Sequence, residues 1–160
     1  MWEKDLVDIL EDEKRILLDI VEKEKQKKEC LLCRDLDRLL EINAEEEKLF
    51  REIEKYEFTR NDIVKRISQK FNIEGEINLS RVVLFASNKD RLTALKDEIT
   101  NIISEIRMLS FENRILIESA MNVSIAILEK VIDPNTFKDK YNKEGRKEIS
   151  IDINTYSTIT

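Results

Sequence analysis

Residues 92–127, LTALKDEITNIISEIRMLSFENRILIESAMNVSIAI, decide how the rest of the chain must be read. Positions 92, 95, 99, 102, 106, 109, 113, 116, 120, 123 and 127 keep a three-four rhythm, and Asn113 is the single polar residue among them. That period lines them along one side of an α-helix. No Gly or Pro interrupts the stretch, so the pattern predicts a helix from about Lys89 to Ile132, roughly 65 Å long at ~1.5 Å per residue. It stops at Asp133-Pro134, because a proline ring disfavours helix in the residue before it. Ser87 or Asn88 is positioned to cap the start.

Upstream, positions 39, 42, 46, 49, 53, 56, 60, 63 and 67 repeat the rhythm, with Glu46 and Arg60 as its non-apolar members. This is a coiled-coil heptad, ended by Phe71 and by the turn chemistry of Asn72 to Asn78 around Gly75. A short helix over about Leu79 to Ala86 fits the remainder. Further upstream, Leu6, Ile9, Leu10, Ile16, Leu17, Ile20 and Val21 recur at helical spacing within about Glu3 to Glu29. Cys30 to Asp37 is read either as a continuation or as a corner, with Asp35 available as an N-cap.

The whole chain agrees with long helices. It has 160 residues with 2 Gly and 1 Pro, 39% charged and 41% apolar, so tight turns are few and each helix has a wet and a dry face. The predicted fold is all-α: an elongated antiparallel bundle of long amphipathic, coiled-coil-like helices, with residues 1–133 as one domain. From Pro134 the texture changes to Asn, Lys, Asp and Glu, with Phe137 and Tyr141 as apolar anchors, so residues 134–160 read as a flexible C-terminal tail. Ile149, Ile151 and Ile153 alternate within it like a strand that would need an edge to pair with.

The net charge of -6 argues against a nucleic-acid partner, which needs a basic face. Lys23, Lys25, Lys27 and Lys28 are interleaved with Glu22, Glu24 and Glu29 and read as a solvated helix face. No apolar run is long enough to span a membrane, the N-terminus lacks signal-peptide character, and two cysteines suit a reducing compartment; the expected location is the cytoplasm.

Without histidine the chain cannot assemble a Ser-His-Asp or Cys-His arrangement, and two distant glycines make no phosphate-cradling loop. No enzyme activity, metal or cofactor is expected. Glu11-Asp12-Glu13 and Glu45-Glu46-Glu47 read as solvated faces rather than metal or acid sites. Cys30-Leu31-Leu32-Cys33 has C-x-x-C spacing but neither a second pair for zinc nor a preceding strand for redox work, so both are taken as packing residues.

With the helices placed, the chain resembles the FlgN family of flagellar type III export chaperones over most of its length. The likeness is carried by Met1-Trp2-Glu3 opening a helix and by Asp35-Leu36-Asp37-Arg38-Leu39, followed by Glu45-Glu46-Glu47, Leu49, Ile53 and Arg60. It is carried further by Phe111-Glu112-Asn113-Arg114-Ile115-Leu116-Ile117-Glu118-Ser119, and by Tyr141 and Gly145 where the family tends to have Tyr-x-x-x-Gly. The family usually has Gly before the Asp-Leu, where Arg34 stands here.

The resemblance implies a cytoplasmic chaperone that binds hook-associated (hook-filament junction) proteins, prevents their premature assembly and delivers them to the export gate. For Tyr141 and Gly145 it implies a gate contact. The residues suggest where a client would sit. Met108, Phe111, Ile115, Ile125, Leu128 and Ile132 form an apolar stripe opposite the seam of Leu109, Leu116 and Val123, and a helix apolar all round must be covered all round. A client helix is the expected cover; the chain's own short helix, or a second subunit in a client-free homo-oligomer, is the alternative. A structural coiled-coil tether or oligomerisation module is the competing class of function.

Overall fold

The computed structural model describes residues 2–130; Ile132, Tyr141, Gly145 and the expected tail lie outside them. Among the described residues the elements are α1 (Trp2–Cys33), α2 (Leu36–Lys70), α3 (Leu79–Val83) and α4 (Lys89–Leu128), with no strand.

Each boundary follows from local chemistry. α1 ends in a left-handed residue, Arg34 at φ 56°, and the Asp35 N–H turns back to the Cys30 carbonyl at 2.9 Å. This is the six-to-one closure of a Schellman motif. The corner alternative for Cys30 to Asp37 is therefore the one observed. The Asp35 carboxylate accepts the Arg38 N–H at 3.1 Å and caps α2. The far end of α2 repeats the device: Asn72 sits at φ 50° and the Ile73 N–H donates to the Ser68 carbonyl at 2.9 Å. Asn78 and Asn88 cap α3 and α4 by accepting the N–H groups of Arg81 and Arg91. Of the two candidates for the α4 cap, Asn88 takes the role.

Contacts between helices fix the topology. Glu13 meets Arg60 and Lys23 meets Glu45, so α1 and α2 run antiparallel. Lys14 meets Glu98 and Lys28 meets Glu112, so α1 and α4 run the same way. The result is an up-down-up bundle with α1 packed against both α2 and α4. One apolar core runs from Leu6 to Val21 on α1, Ile53 to Ile67 on α2, Leu79 to Ala86, and Leu92 to Leu109 on α4. Trp2, Phe71 and Phe85 close its lower end, edge-to-face at 6.0 Å and stacked at 5.0 Å.

The three polar interruptions of the two heptads, Glu46, Arg60 and Asn113, are all buried. Glu13 and Glu24 are buried with them, and the Lys27 side chain is only 12% exposed. This corrects the reading of Glu11-Asp12-Glu13, Glu45-Glu46-Glu47 and the lysine-rich stretch as wholly solvated faces. α1 turns Glu13 and Glu24 inward and α2 turns Glu46 and Arg60, and a polar side chain on another helix meets each, as a buried charge requires. The Arg60 guanidinium donates to both Glu13 carboxylate oxygens at 2.9 and 2.8 Å. Higher up, Lys27 bridges Glu24 and Glu46, and the Asn113 amide donates to the Glu24 carboxylate at 2.8 Å and to its carbonyl at 2.9 Å.

Candidate functional site

Where α4 outruns its partners is set by pairing register. The Lys14–Glu98 and Lys28–Glu112 pairs each span 84 residues, which puts Cys33, the end of α1, level with Ile117. α4 continues to Leu128, about 16 Å further at ~1.5 Å per residue. The last buried residue of α4 is Asn113. Above the corner the helix is an overhang.

The overhang changes what the two faces of α4 mean. Of the stripe expected to receive a client, Met108, Phe111 and Ile115 are exposed at 55, 57 and 46%. Ile125 and Leu128 are half-buried. The opposite seam does not continue as core. Leu109 is buried, but Leu116 is half-buried, Ala120 is exposed, and Val123 and Ile127 are exposed at 60 and 62%. The heptad runs on past the point where α1 and α2 turn, so its later positions face no helix among the described residues.

Three exposed leucines that the sequence reading missed lie at the corner between α1 and α2. Leu32, Leu36 and Leu40, at 62, 65 and 60% exposure, straddle that corner. Their four-residue spacing, displaced from the 39-42-46 seam, was the available signal. Between Ile115 and Leu128 the one charged side chain is Glu118. Apolar side chains gathered in this way mark an interaction surface more often than isolated exposed ones do.

The buried carboxyls lie lower in the bundle, Glu24 and Glu46 nearer the corner and Glu13 about two-thirds of α1 away from it. Burial pushes Glu13 up to about 7 against the pull of Arg60. Burial, reinforced by the neighbouring Glu24, pushes Glu46 up to about 8, with Lys27 opposing. For Glu24 burial acts upward too, yet hydrogen bonds from Glu46 and Asn113 and the Lys27 charge outweigh it and hold the group below its usual range. Glu46 therefore carries the proton of this pair near neutrality and Glu24 the charge. Both face packed helices rather than a cavity, so the pair ties helices together.

Cys30 is buried and Cys33 exposed, both as free thiols. Among the described residues no group of three or more His, Cys, Asp or Glu is placed to hold a metal ion. No helix among them is long and apolar enough to cross a membrane. A cleft at the opposite end, lined by Ser68, Asn72, Ile73 and Ile77, gathers no catalytic set.

Comparison with curated proteins and with solved structures finds no match in either. The family described as FlgN protein matches residues 1–148, which includes all four helices and reaches past Tyr141 and Gly145. On that match, the chain belongs to the FlgN family of flagellar export chaperones.

Proposed function

We propose that this chain works in the cytoplasm as the export chaperone of hook-associated proteins, holding a client helix on the upper half of α4 and releasing it at the export gate. The observation that carries the reading is the exposed stripe of Met108, Phe111 and Ile115 leading into an overhang that no helix of the described chain covers. An amphipathic client helix laid there would bury those side chains in the helix-in-groove manner, and its own apolar face would be withheld from premature assembly. Ile125 and Leu128 extend the same surface, and Ile132, outside the described residues, is assigned to it by its place in the sequence pattern. The bundle up to about residue 133 is then the client-holding unit. Residues 134–160, with Tyr141 and Gly145, serve the handover.

Titration of a purified hook-associated protein against the full chain tests this. Phe111→Asp and Ile115→Asp should each weaken binding about thirtyfold, since a large apolar anchor in such a contact is worth ~2 kcal/mol or more. Circular dichroism should be unchanged. Unaltered affinity in both variants would move the client elsewhere, and failure of every hook-associated protein to bind would favour the structural tether.

A further inference from the structure

The seam of the overhang, Leu116, Ala120, Val123 and Ile127, is spaced four, three and four, a series that reads identically in both directions. Antiparallel helices pair positions whose numbers have a constant sum, so a two-fold axis between Met121 and Asn122 matches this seam to itself. Leu116 then meets the partner's Ile127, and Ala120 meets the partner's Val123. We propose that the overhang of α4 is a contact between two copies of this chain, packed antiparallel in that register.

Three observations favour a second copy as the occupant. First, the surface is complementary to itself, with bulk against bulk in the outer layers, and with Ala120 beside the axis to let the two backbones approach. Second, bringing together two chains of net charge -6 is opposed by repulsion unless the contact is neutral. From Ile115 to Leu128 the only charge is Glu118, which stands two residues from both Leu116 and Ala120 and so points away from the seam. Third, the lengths agree. The overhang spans Ile117 to Leu128, so in this register Leu128 pairs with the partner's Ile115 and each tip ends about two residues, ~3 Å, past the level of the other copy's corner. The exposed Leu32 lies at that level, at the end of α1.

The contact is short and belongs to the low end of interface sizes, which makes it an association that dilution reverses. It does not rest on the client reading, because the seam is a different side of α4 from Met108, Phe111 and Ile115.

Sedimentation velocity on the full chain from about 1 to about 300 µM should show monomer passing to dimer. Val123→Glu and Ile127→Glu, both at exposed positions, should each weaken the dimer at least about thirtyfold with helical content unchanged, whereas Phe111→Asp should leave it intact. The arrangement is read from spin labels placed through Ser119→Cys or Asp97→Cys in a chain with Cys30→Ala and Cys33→Ala. Antiparallel packing in this register separates the two labels along the axis by ~8 Å at position 119 and by ~70 Å at position 97. A monomer at the highest concentration, a dimer indifferent to both glutamate variants, or equal short separations at the two positions would each overturn the proposal. A dimer that disappears with Val123→Glu while client titration is unaffected separates this contact from the client surface.

Discussion

Arg34 occupies the one backbone position between α1 and α2 that L side chains adopt reluctantly, at φ 56°. Steric crowding between Cβ and the carbonyl costs a non-glycine residue about 1 kcal/mol or more in that conformation. Glycine adopts that conformation freely, since it alone carries no Cβ. Arg34→Gly should raise stability by about 1 kcal/mol, read as a shift in the urea midpoint at constant slope. A loss would mean that the arginine side chain contributes more than its backbone costs. The buried carboxyls give a pH signature. Glu13 and Glu46 are raised from 4.5 to about 7 and about 8, so the folded state binds protons that the unfolded chain has released. Stability is therefore greatest near the unfolded value and declines as pH rises through 7 and 8. Glu24 is shifted downward, and its contribution is lost instead as pH falls through its folded value. The melting temperature should be lower at pH 9 than at pH 6, and Glu46→Gln should flatten part of that slope by fixing the neutral form. A profile that rises toward pH 9 would sink this account.

At the scale of elements, the three-four rhythm of residues 92–127 located α4 and its buried side as far as Asn113. Beyond that point the same rhythm stops predicting burial, because burial needs a partner and the partners end at a corner 80 residues earlier in the chain. No local pattern in α4 carries that information. It was present in Cys30 to Asp37, where the N-cap residue Asp35 favoured a turn that periodicity alone left open. The stripe of Met108, Phe111 and Ile115 was legible, since the residues facing away from the seam needed no partner to be placed. The acidic clusters were misjudged because charge runs are usually solvated. The rule failed at Glu13 and Glu46, where another helix supplies a cation. The two halves of α4 should accordingly respond differently to a carboxylate. Leu109→Asp, at a buried site, should cost several kcal/mol and unfold much of the chain. Val123→Asp and Phe111→Asp, at exposed sites, should stay within about 0.5 kcal/mol of the parent by thermal melting. Equal damage at all three positions would show that the overhang is packed in solution as core.

On the scale of the whole molecule, a hairpin written in heptads has an ambiguity that its apolar residues cannot remove. Sliding α2 along α1 by seven positions returns leucine and isoleucine to leucine and isoleucine, and packing alone would distinguish such neighbours poorly. The ion pairs do distinguish them. A slip in either direction replaces Arg60 opposite Glu13 by Ile53 or Ile67, and replaces Glu46 beside Glu24 and Lys27 by Leu39 or Ile53. Each wrong alignment leaves charges stranded in hydrocarbon, at several kcal/mol apiece. We predict that Glu13→Leu combined with Arg60→Met keeps or raises the melting temperature, yet broadens the distance distribution between spin labels on α1 and α2. A single sharp distance would mean that the corner at Arg34 and Asp35 sets the alignment unaided. Polar residues at the centre of a greasy bundle thus act as a vernier, whose graduations coincide in only one setting of the two rods.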